Sequence, residues 1–228
     1  MVDLVQQILK VFSDYDLFNE GVELIGSWCF HLYQKHLGAR RFPLRTLDID
    51  FLLPHPYRGK EHKGFIDRLE GLGFRSEFNS DGSLFLWNAE LKIEFIVPER
   101  GRGIESSVEN RQLGLRAMPL RFVGMLLEEP IMVEENGVKV RIPDPSHFCI
   151  HKLILASRRK ESDKKLKDLE QALLTFAIAE PKKLQKIFRS LPEKWRKSAI
   201  SILEKAGEDL PLLVAESEQL RFTLQKAI

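Results

Sequence analysis

The segment Thr46–Leu53, which reads Thr-Leu-Asp-Ile-Asp-Phe-Leu-Leu, constrains the fold more than any other part of the chain. Because side chains two residues apart in a β-strand share one face, Asp48 and Asp50 point to the same side of a sheet. The apolar residues that alternate with them, Ile49 and Phe51, point to the other side, where a hydrophobic core must cover them. Two carboxylates held this closely repel each other unless a cation lies between them, and their oxygens suit a hard divalent ion such as Mg²⁺. The pair alone also fits a turn cap beside a solvated acid.

Strand and helix patterns alternate up to Pro143, and only helical patterns follow. The predicted elements, in chain order, are a helix at about 3–15, a strand at about 22–25, a helix at about 28–37, the strand that begins at Asp48, a helix at about 59–71, a hairpin at about 74–87, a strand at about 91–97 and a hairpin at about 131–142. Asp81-Gly82 and Asn136-Gly137 are the turn signals of the two hairpins. The arginine-rich and glycine-rich segment 99–121 shows no assignable pattern.

The last third of the chain has the texture of a helical bundle, in which Pro181, Pro192 and Pro211 each stand where a helix could begin. We therefore predict an α+β (α/β) fold: a mixed β-sheet core flanked by helices over residues 1–143, and a helical C-terminal part over residues 144–228. Trp28, Trp87 and Trp195 are expected in the core or at helix interfaces, since none lies in a basic context suited to stacking on a base.

Composition excludes some classes of protein and leaves others open. The 35 basic and 33 acidic side chains nearly cancel, so no global field attracts a polyanion or an anionic membrane. Two cysteines, Cys29 and Cys149, are too few for a disulfide scaffold in a chain of this size, which favours a reducing compartment. The first residues lack the pattern of a signal peptide, and no run approaches the ~18 apolar residues of a membrane helix. We expect a cytoplasmic protein.

Three further groups of residues could carry chemistry. Gly26-Ser27 follows a predicted strand and begins a predicted helix, where a glycine lets the backbone approach a phosphate and free N–H groups bind anions; an ordinary turn with Ser27 as N-cap is the alternative. Glu94 lies two residues after Lys92 on a later predicted strand. Lys152 could reach a phosphate or could lie on a solvated helix face.

Together these motifs resemble the nucleotidyltransferase superfamily typified by DNA polymerase β, in which a Gly-Ser turn precedes Asp-x-Asp and a third carboxylate on a neighbouring strand. The long gap between Ser27 and Asp48 looks more like the nucleotidyltransferase-like toxins of abortive-infection and toxin-antitoxin systems. In those proteins a helix and a basic connector separate the turn from Ser/Thr-x-Asp-Ile-Asp. The segment from His151-Lys152-Leu153 through Arg158, Lys164 and Asp168 also resembles their later Lys-Leu, Arg and Lys-Asp pattern.

The resemblance implies a Mg²⁺-dependent or Mn²⁺-dependent enzyme that moves a nucleoside monophosphate from a nucleoside triphosphate to a hydroxyl and releases pyrophosphate. The residues to which it assigns roles are Asp48, Asp50 and Glu94 as metal ligands, Glu94 also as the group that activates the acceptor, and Gly26, Ser27, Lys152 and Arg45 as phosphate-binding residues. The acceptor could be a tRNA end, a protein side chain or a small molecule such as an aminoglycoside, and an antitoxin is a possible partner protein.

Two departures from the family pattern support a second hypothesis. Family members more often carry aspartate at the position of Glu94, and their arginine usually stands two residues before the threonine, whereas Arg45 directly precedes Thr46. The alternative is therefore a catalytically inactive module of the same fold that binds a nucleotide or a partner protein.

Overall fold

The structure is a computed structural model that describes residues 2–41, 43, 46–100 and 106–227. Its contacts divide the chain into two units. One consists of Met1–Leu32 and Pro43–Pro143, and the other of Tyr33–Phe42 and Asp144–Ile228. The predicted α+β class is confirmed, with a mixed sheet in the first unit and helices in the second. None of the helices in the described ranges is long and apolar enough to cross a membrane.

A mixed sheet forms the centre of the first unit. Its strands are β1 Glu23–Ile25, β2 Asp48–Leu52, β3 Arg75–Phe78, β4 Leu84–Trp87, β5 Lys92–Pro98, β6 Val108–Asn110 and β7 Leu115–Leu120. The order along the sheet is β1-β2-β5-β4-β3, while β7 pairs with the second half of β5 and β6 pairs with β7. β2 lies parallel to β5, and so does β7, whereas the other pairs are antiparallel. The Asn136-Gly137 hairpin forms a separate two-stranded sheet of β8 Ile131–Glu135 and β9 Val138–Ile142.

Aromatic side chains hold a helix against one face of this sheet. The helices of the first unit are α1 Val2–Asp14, the start of α2 Gly26–His36, and α3 Phe65–Glu70. The ring of Phe12 on α1 stacks on Phe51 of β2 with 3.6 Å between ring centroids, and it meets Phe65 of α3 edge to face at 5.2 Å. All three side chains are almost completely buried. The core therefore covers the face of β2 that carries Phe51 and leaves the aspartates on the opposite face.

The second unit is helical, as its proline pattern predicts. Its helices after the unit boundary are α4 Pro145–Arg158, α5 Ser162–Phe176, α6 Pro181–Ser190, α7 Glu193–Asp209 and α8 Val214–Gln225. Pro145 and Pro181 occupy the first turns of α4 and α6, where a missing N–H costs nothing, and the Asp144 side chain accepts a hydrogen bond from the Ser146 N–H. The sequence predicts that residues 1–143 and 144–228 are two domains, and this division stays a prediction.

Three expectations from the sequence differ from the structure. The helix expected at 59–71 is reduced to Phe65–Glu70, because Tyr57 and His62 both hydrogen-bond the Glu20 carboxylate and hold the preceding segment in an irregular path. The unassigned segment contains β6 and β7, while its residues 101–105 lie outside the described residues. Trp28 is buried, but the expectation that Trp87 is a core residue is wrong, since 37% of its surface is exposed.

Glu23 is a fully buried carboxylate at the first position of β1, the strand that directly precedes Gly26. Its Oε1 accepts a hydrogen bond of 3.2 Å from the Arg141 Nε on β9, while its Oε2 meets no hydrogen-bond partner among the described residues. Burial raises the pKa of Glu23 to about 7, although the nearby Arg141 guanidinium opposes this shift. The ionised form of Glu23 is therefore disfavoured in the folded state relative to the unfolded chain.

This raised pKa predicts a pH dependence of stability with a definite sign. Because the folded state keeps its proton at higher pH than the unfolded state does, the contribution of Glu23 is fully present below pH 4.5 and is lost as the pH rises to about 7. The loss is at most about 3 kcal/mol of unfolding free energy. Urea unfolding between pH 4 and 8 should show this decline in the native sequence and a flatter profile in Glu23→Gln. Equal slopes in the two proteins would contradict the assignment.

Candidate active site

The pairing of β2 with β5 brings the three carboxylates predicted from the sequence onto one face of the sheet. Asp50 lies directly beside Glu94 in the parallel register, and Asp48 lies beside Lys92. Asp48 is exposed, and Asp50 and Glu94 are partly exposed. Side-chain alternation in the two strands, with Phe51 buried on the other face, therefore places the acids where a ligand can reach them.

One local hydrogen bond and one from the neighbouring strand fix the start of β2. The Thr46 Oγ1 accepts a hydrogen bond of 3.3 Å from the Asp48 N–H, and the Leu47 carbonyl accepts one of 2.8 Å from the Lys92 N–H. The threonine of the Thr-x-Asp-x-Asp motif thus orders the backbone that carries the first aspartate. Its role is to position the strand end, which the sequence pattern alone did not reveal.

Gly26 packs directly against the Asp50 carboxylate. β1 runs antiparallel to β2 with Ile25 opposite Asp50, so the residue that follows Ile25 lies over the aspartate. Gly26 has a φ of +67°, in the left-handed region, and a Cβ added to it would lie 2.1 Å from the Asp50 Oδ2. The Gly-Ser turn and the Asp-x-Asp strand therefore meet in space. Ser27, in the first turn of α2, is 5% exposed.

Lys92 adds a cation to the carboxylate face. Its Nζ donates a hydrogen bond to the Glu94 Oε1 and lies 4.4 Å from the centroid of the Phe85 ring. No sequence motif assigns a role to Lys92, although the spacing Lys92-x-Glu94 indicates that both side chains share a face. No three carboxylate, imidazole or thiolate groups in the described ranges are grouped closely enough to enclose a metal ion. The site therefore combines three acids on one face of the sheet with a lysine that is bonded to Glu94.

Lys152, another predicted phosphate-binding residue, has its partner within the second unit. Lys152 on α4 is 7% exposed and belongs to the second unit, where its Nζ donates a hydrogen bond of 2.8 Å to the Asp168 Oδ1. The Arg159 Nε donates to the other oxygen of Asp168 at 3.1 Å. Although burial alone would raise the pKa of Asp168, the charges of Lys152 and Arg159 hold it below its ordinary value. Arg45 lies outside the described residues.

Comparison with solved structures shows the general fold. The chain resembles an antigenic nucleotidyltransferase-like protein from Paracoccidioides brasiliensis, with a TM-score of 0.56 and 14% sequence identity over 94% of this chain and 92% of that one. A solution structure of the antibiotic-resistance factor ANT(2'')-Ia has a TM-score of 0.44 at 17% identity, covering 91% of this chain and 97% of that chain. The crystal structure of the same factor with adenylyl-2''-tobramycin has a TM-score of 0.47 at 17% identity, covering 88% and 97%. The last two likenesses are too distant to bear on the acceptor.

Sequence comparison identifies the family. No curated protein matches the chain significantly. The model of a family described as nucleotidyltransferase, however, matches residues 3–196, a range that includes the Gly-Ser turn, both aspartates, Glu94 and the Lys152–Asp168 pair. This range is well over half of the 228 residues. The chain therefore belongs to this family of nucleotidyltransferases.

Proposed function

We propose that the protein transfers a nucleoside monophosphate from a nucleoside triphosphate to a hydroxyl acceptor and releases pyrophosphate, with Mg²⁺ or Mn²⁺ as its cofactor. One observation carries the proposal: the parallel pairing that sets Asp50 beside Glu94, with Asp48 on the same face. Membership of the nucleotidyltransferase family supports the reaction class.

The donor set on this face suits a hard divalent cation. Asp48 and Asp50 would hold the metal, and Glu94 would be the third ligand, because carboxylate oxygens are the ligands that Mg²⁺ prefers. The side chains of Asp48, Asp50 and Glu94 carry three negative charges against the single positive charge of Lys92, so a cation would relieve their repulsion. When bound, the metal would neutralise charge on the phosphate oxygens.

The chain's own residues would handle the acceptor and its proton. In the proposed step the acceptor oxygen forms a bond to the α-phosphorus, while the bond from that phosphorus to the bridging oxygen of the β-phosphate breaks and pyrophosphate leaves. The acceptor's proton would pass to Glu94, whose Oε1 is bonded to Lys92 and whose other oxygen would accept it. Lys92 would therefore act by orienting the Glu94 carboxylate.

Phosphate binding would fall first to the turn between β1 and α2. Gly26 has no side chain between the backbone and Asp50, and the early N–H groups of α2 follow it, which is an arrangement that suits an anion. We propose Ser27 as part of the same cradle. Roles for Lys152 and Arg45 toward the triphosphate stay proposals, and Lys152 would have to exchange its bond to Asp168 for one to phosphate.

The Lys92–Glu94 contact also favours a second candidate function. A carboxylate that already has an ammonium partner needs no metal to balance its charge, which suits a module that binds a nucleotide or a partner protein without catalysis. Calorimetry with each nucleoside triphosphate, with and without Mg²⁺, separates the two functions. Metal-dependent binding that is lost in Asp48→Ala supports the enzyme, whereas binding indifferent to both metal and substitution supports the module.

The class of acceptor can be identified with an assay that offers several acceptor classes to the protein. The full chain would be incubated with each radiolabelled nucleoside triphosphate and with total cell RNA, total cell protein or an aminoglycoside. We expect label in one acceptor class together with pyrophosphate, and neither product when EDTA replaces Mg²⁺. Absence of both products with all four triphosphates would contradict the proposed reaction. A toxin-like role with an antitoxin partner, suggested by the Thr-x-Asp-Ile-Asp motif, stays a proposal until the acceptor is known.

Glu94→Gln tests the proposed proton acceptor. The amide keeps the size of the side chain but cannot take a proton, so turnover should fall by about 100-fold or more. Binding of the Mg²⁺-triphosphate should weaken much less, because Asp48 and Asp50 remain. Rapid-quench measurement of the transfer step and calorimetry of triphosphate binding give the two numbers. A variant that loses binding and turnover equally would assign Glu94 to metal binding alone.

A further inference from the structure

The carboxylate face of the sheet continues across β4 and β3. β4 pairs with β5 so that Trp87 lies beside Lys92, and β3 pairs with β4 so that Arg75 lies beside Trp87. Cross-strand neighbours share a face, because the side chains of each strand alternate. One row therefore crosses the sheet on the side of the proposed active site, and its members in order are Asp48, Lys92, Trp87 and Arg75.

Trp87 is exposed in a place where packing does not explain it. Its exposed fraction is 37%, while the next residue on the other face of the same strand, Leu86, is completely buried. A partly exposed indole beside a candidate site has a face on which a planar ligand can stack. Strand spacing of about 4.8 Å puts its backbone roughly 10 Å from that of Asp48.

Cations flank Trp87 on both sides of its row. Lys92 lies on the side toward the carboxylates, and Arg75, which is exposed, lies on the side toward the sheet edge. Arg75 makes no ion pair within the described ranges. Lys92 already donates a hydrogen bond to Glu94 in the neighbouring row, so Arg75 is the cation of the tryptophan row that could pair with a phosphate. An aromatic ring beside a cation is a combination with which proteins stack a base and bind its adjoining phosphate.

We propose that Trp87, between Lys92 and Arg75, is the acceptor subsite and stacks a nucleobase of a single-stranded nucleic acid whose terminal hydroxyl lies beside Glu94. This inference rests on the proposed nucleotidyl transfer and names its acceptor class. At the Trp87 end of the row an aminoglycoside ammonium would meet the Arg75 guanidinium, whereas a phosphate would pair with it. The base is bound by its planar face, so the subsite accepts any base and reads no sequence.

Binding of a fluorescein-labelled short single-stranded oligoribonucleotide tests the subsite without requiring turnover. Fluorescence anisotropy with the full chain, Mg²⁺ and a non-hydrolysable triphosphate should show the dissociation constant rise by about 5-fold to 150-fold in Trp87→Ala. Trp87→Phe should retain most of the affinity, since it keeps a stacking ring. Arg75→Ala should make the affinity less sensitive to salt, because one phosphate contact is lost.

The same hairpin offers a matched control. Phe78 on β3 is 65% exposed and belongs to the opposite face, since it pairs with the buried Leu84. Phe78→Ala removes an aromatic ring that is more exposed than Trp87 but should leave oligonucleotide binding unchanged. A melting temperature near that of the native sequence in Trp87→Ala excludes unfolding as the cause. If the alanine variant folds poorly, Trp87→Leu replaces it, because leucine keeps an apolar side chain without an aromatic face and should lose affinity in the same way.

The outcomes separate the subsite from the proposed function. Equal oligonucleotide affinity in Trp87→Ala and in the native sequence overturns the subsite, as does an effect of Trp87→Ala on aminoglycoside binding with none on the oligonucleotide. Transfer onto an acceptor that proceeds normally in Trp87→Ala would then leave the nucleotidyltransferase proposal intact. Absence of nucleotidyl transfer by the native sequence would overturn the proposed function, whatever the behaviour of Trp87, whereas transfer that survives loss of the aspartates would overturn only the assignment of the site.

Discussion

Replacement of Asp50 by asparagine is expected to lower nucleotidyl transfer by at least about 100-fold. Loss of a residue that only orients a metal ligand typically lowers metal affinity or activity by roughly 10-fold to 100-fold. Asp50 is proposed as a ligand itself, so its loss should cost more. Asp50 lies beside Glu94 and against Gly26, at the centre of the proposed carboxylate site. Asp48→Asn should have a similar effect. Turnover is measured by pyrophosphate release under saturating triphosphate and Mg²⁺.

Stability measurements distinguish a catalytic loss from a folding loss. Asp48 is exposed and Asp50 partly exposed, so neither amide should lower the melting temperature, and relief of their mutual repulsion favours the variants slightly. Asp67→Asn is the control, because Asp67 is an exposed aspartate on α3 of the same unit. Its turnover should equal that of the native sequence. Unchanged turnover in Asp48→Asn and Asp50→Asn would overturn the assignment of the site.

The parts of the fold that depend on local sequence could be predicted. The alternation of Asp48 and Asp50 with Ile49 and Phe51 gives the strand and its two faces without any knowledge of its partners. The Asp-Gly and Asn-Gly turns lie where the sequence places them, at the tips of β3–β4 and β8–β9. Both signals act over a few residues and are independent of the rest of the chain.

The parts that depend on distant pairing could not be predicted. β7 completes the sheet beside the second half of β5, a contact between residues about twenty positions apart that leaves little pattern in an arginine-rich sequence. The irregular path before α3 depends on the Glu20 carboxylate, which comes from an earlier turn. Local spacing of apolar residues there resembles a helix, and tertiary hydrogen bonds override it.

The candidate site shows the same division between local and distant information. Asp48, Asp50 and the Lys92–Glu94 spacing are readable because each lies within one strand. The registers that bring Asp50 beside Glu94, and Trp87 beside Lys92, are set by strand pairing and follow from no local motif. Local sequence therefore predicts Trp87 in the core or at a helix interface, because its cationic neighbours come from two other strands.

Gly26→Ala is expected to abolish turnover as completely as loss of Asp50. The new Cβ would lie 2.1 Å from the Asp50 Oδ2 but 3.5 Å from the Asp50 Cβ, so rotation of the carboxylate relieves the overlap. That rotation removes the aspartate from its place on the carboxylate face. If the carboxylate stays, the overlap costs about 1–3 kcal/mol of unfolding free energy. In both cases the left-handed φ of +67° costs a further ~1–2 kcal/mol for a residue with a Cβ.

Gly114→Ala separates the contact from the backbone strain. Gly114 has a φ of +65°, nearly that of Gly26, but an added Cβ would meet no atom within 4 Å. The melting temperature of Gly114→Ala should therefore fall by roughly 2–8 °C, which is the effect expected in a chain of this length from the left-handed φ alone. The turnover of this variant should stay at the native level. Thermal unfolding and pyrophosphate release would be measured on both variants. If Gly26→Ala loses no more activity than Gly114→Ala, close approach of the turn to Asp50 is not what the site requires.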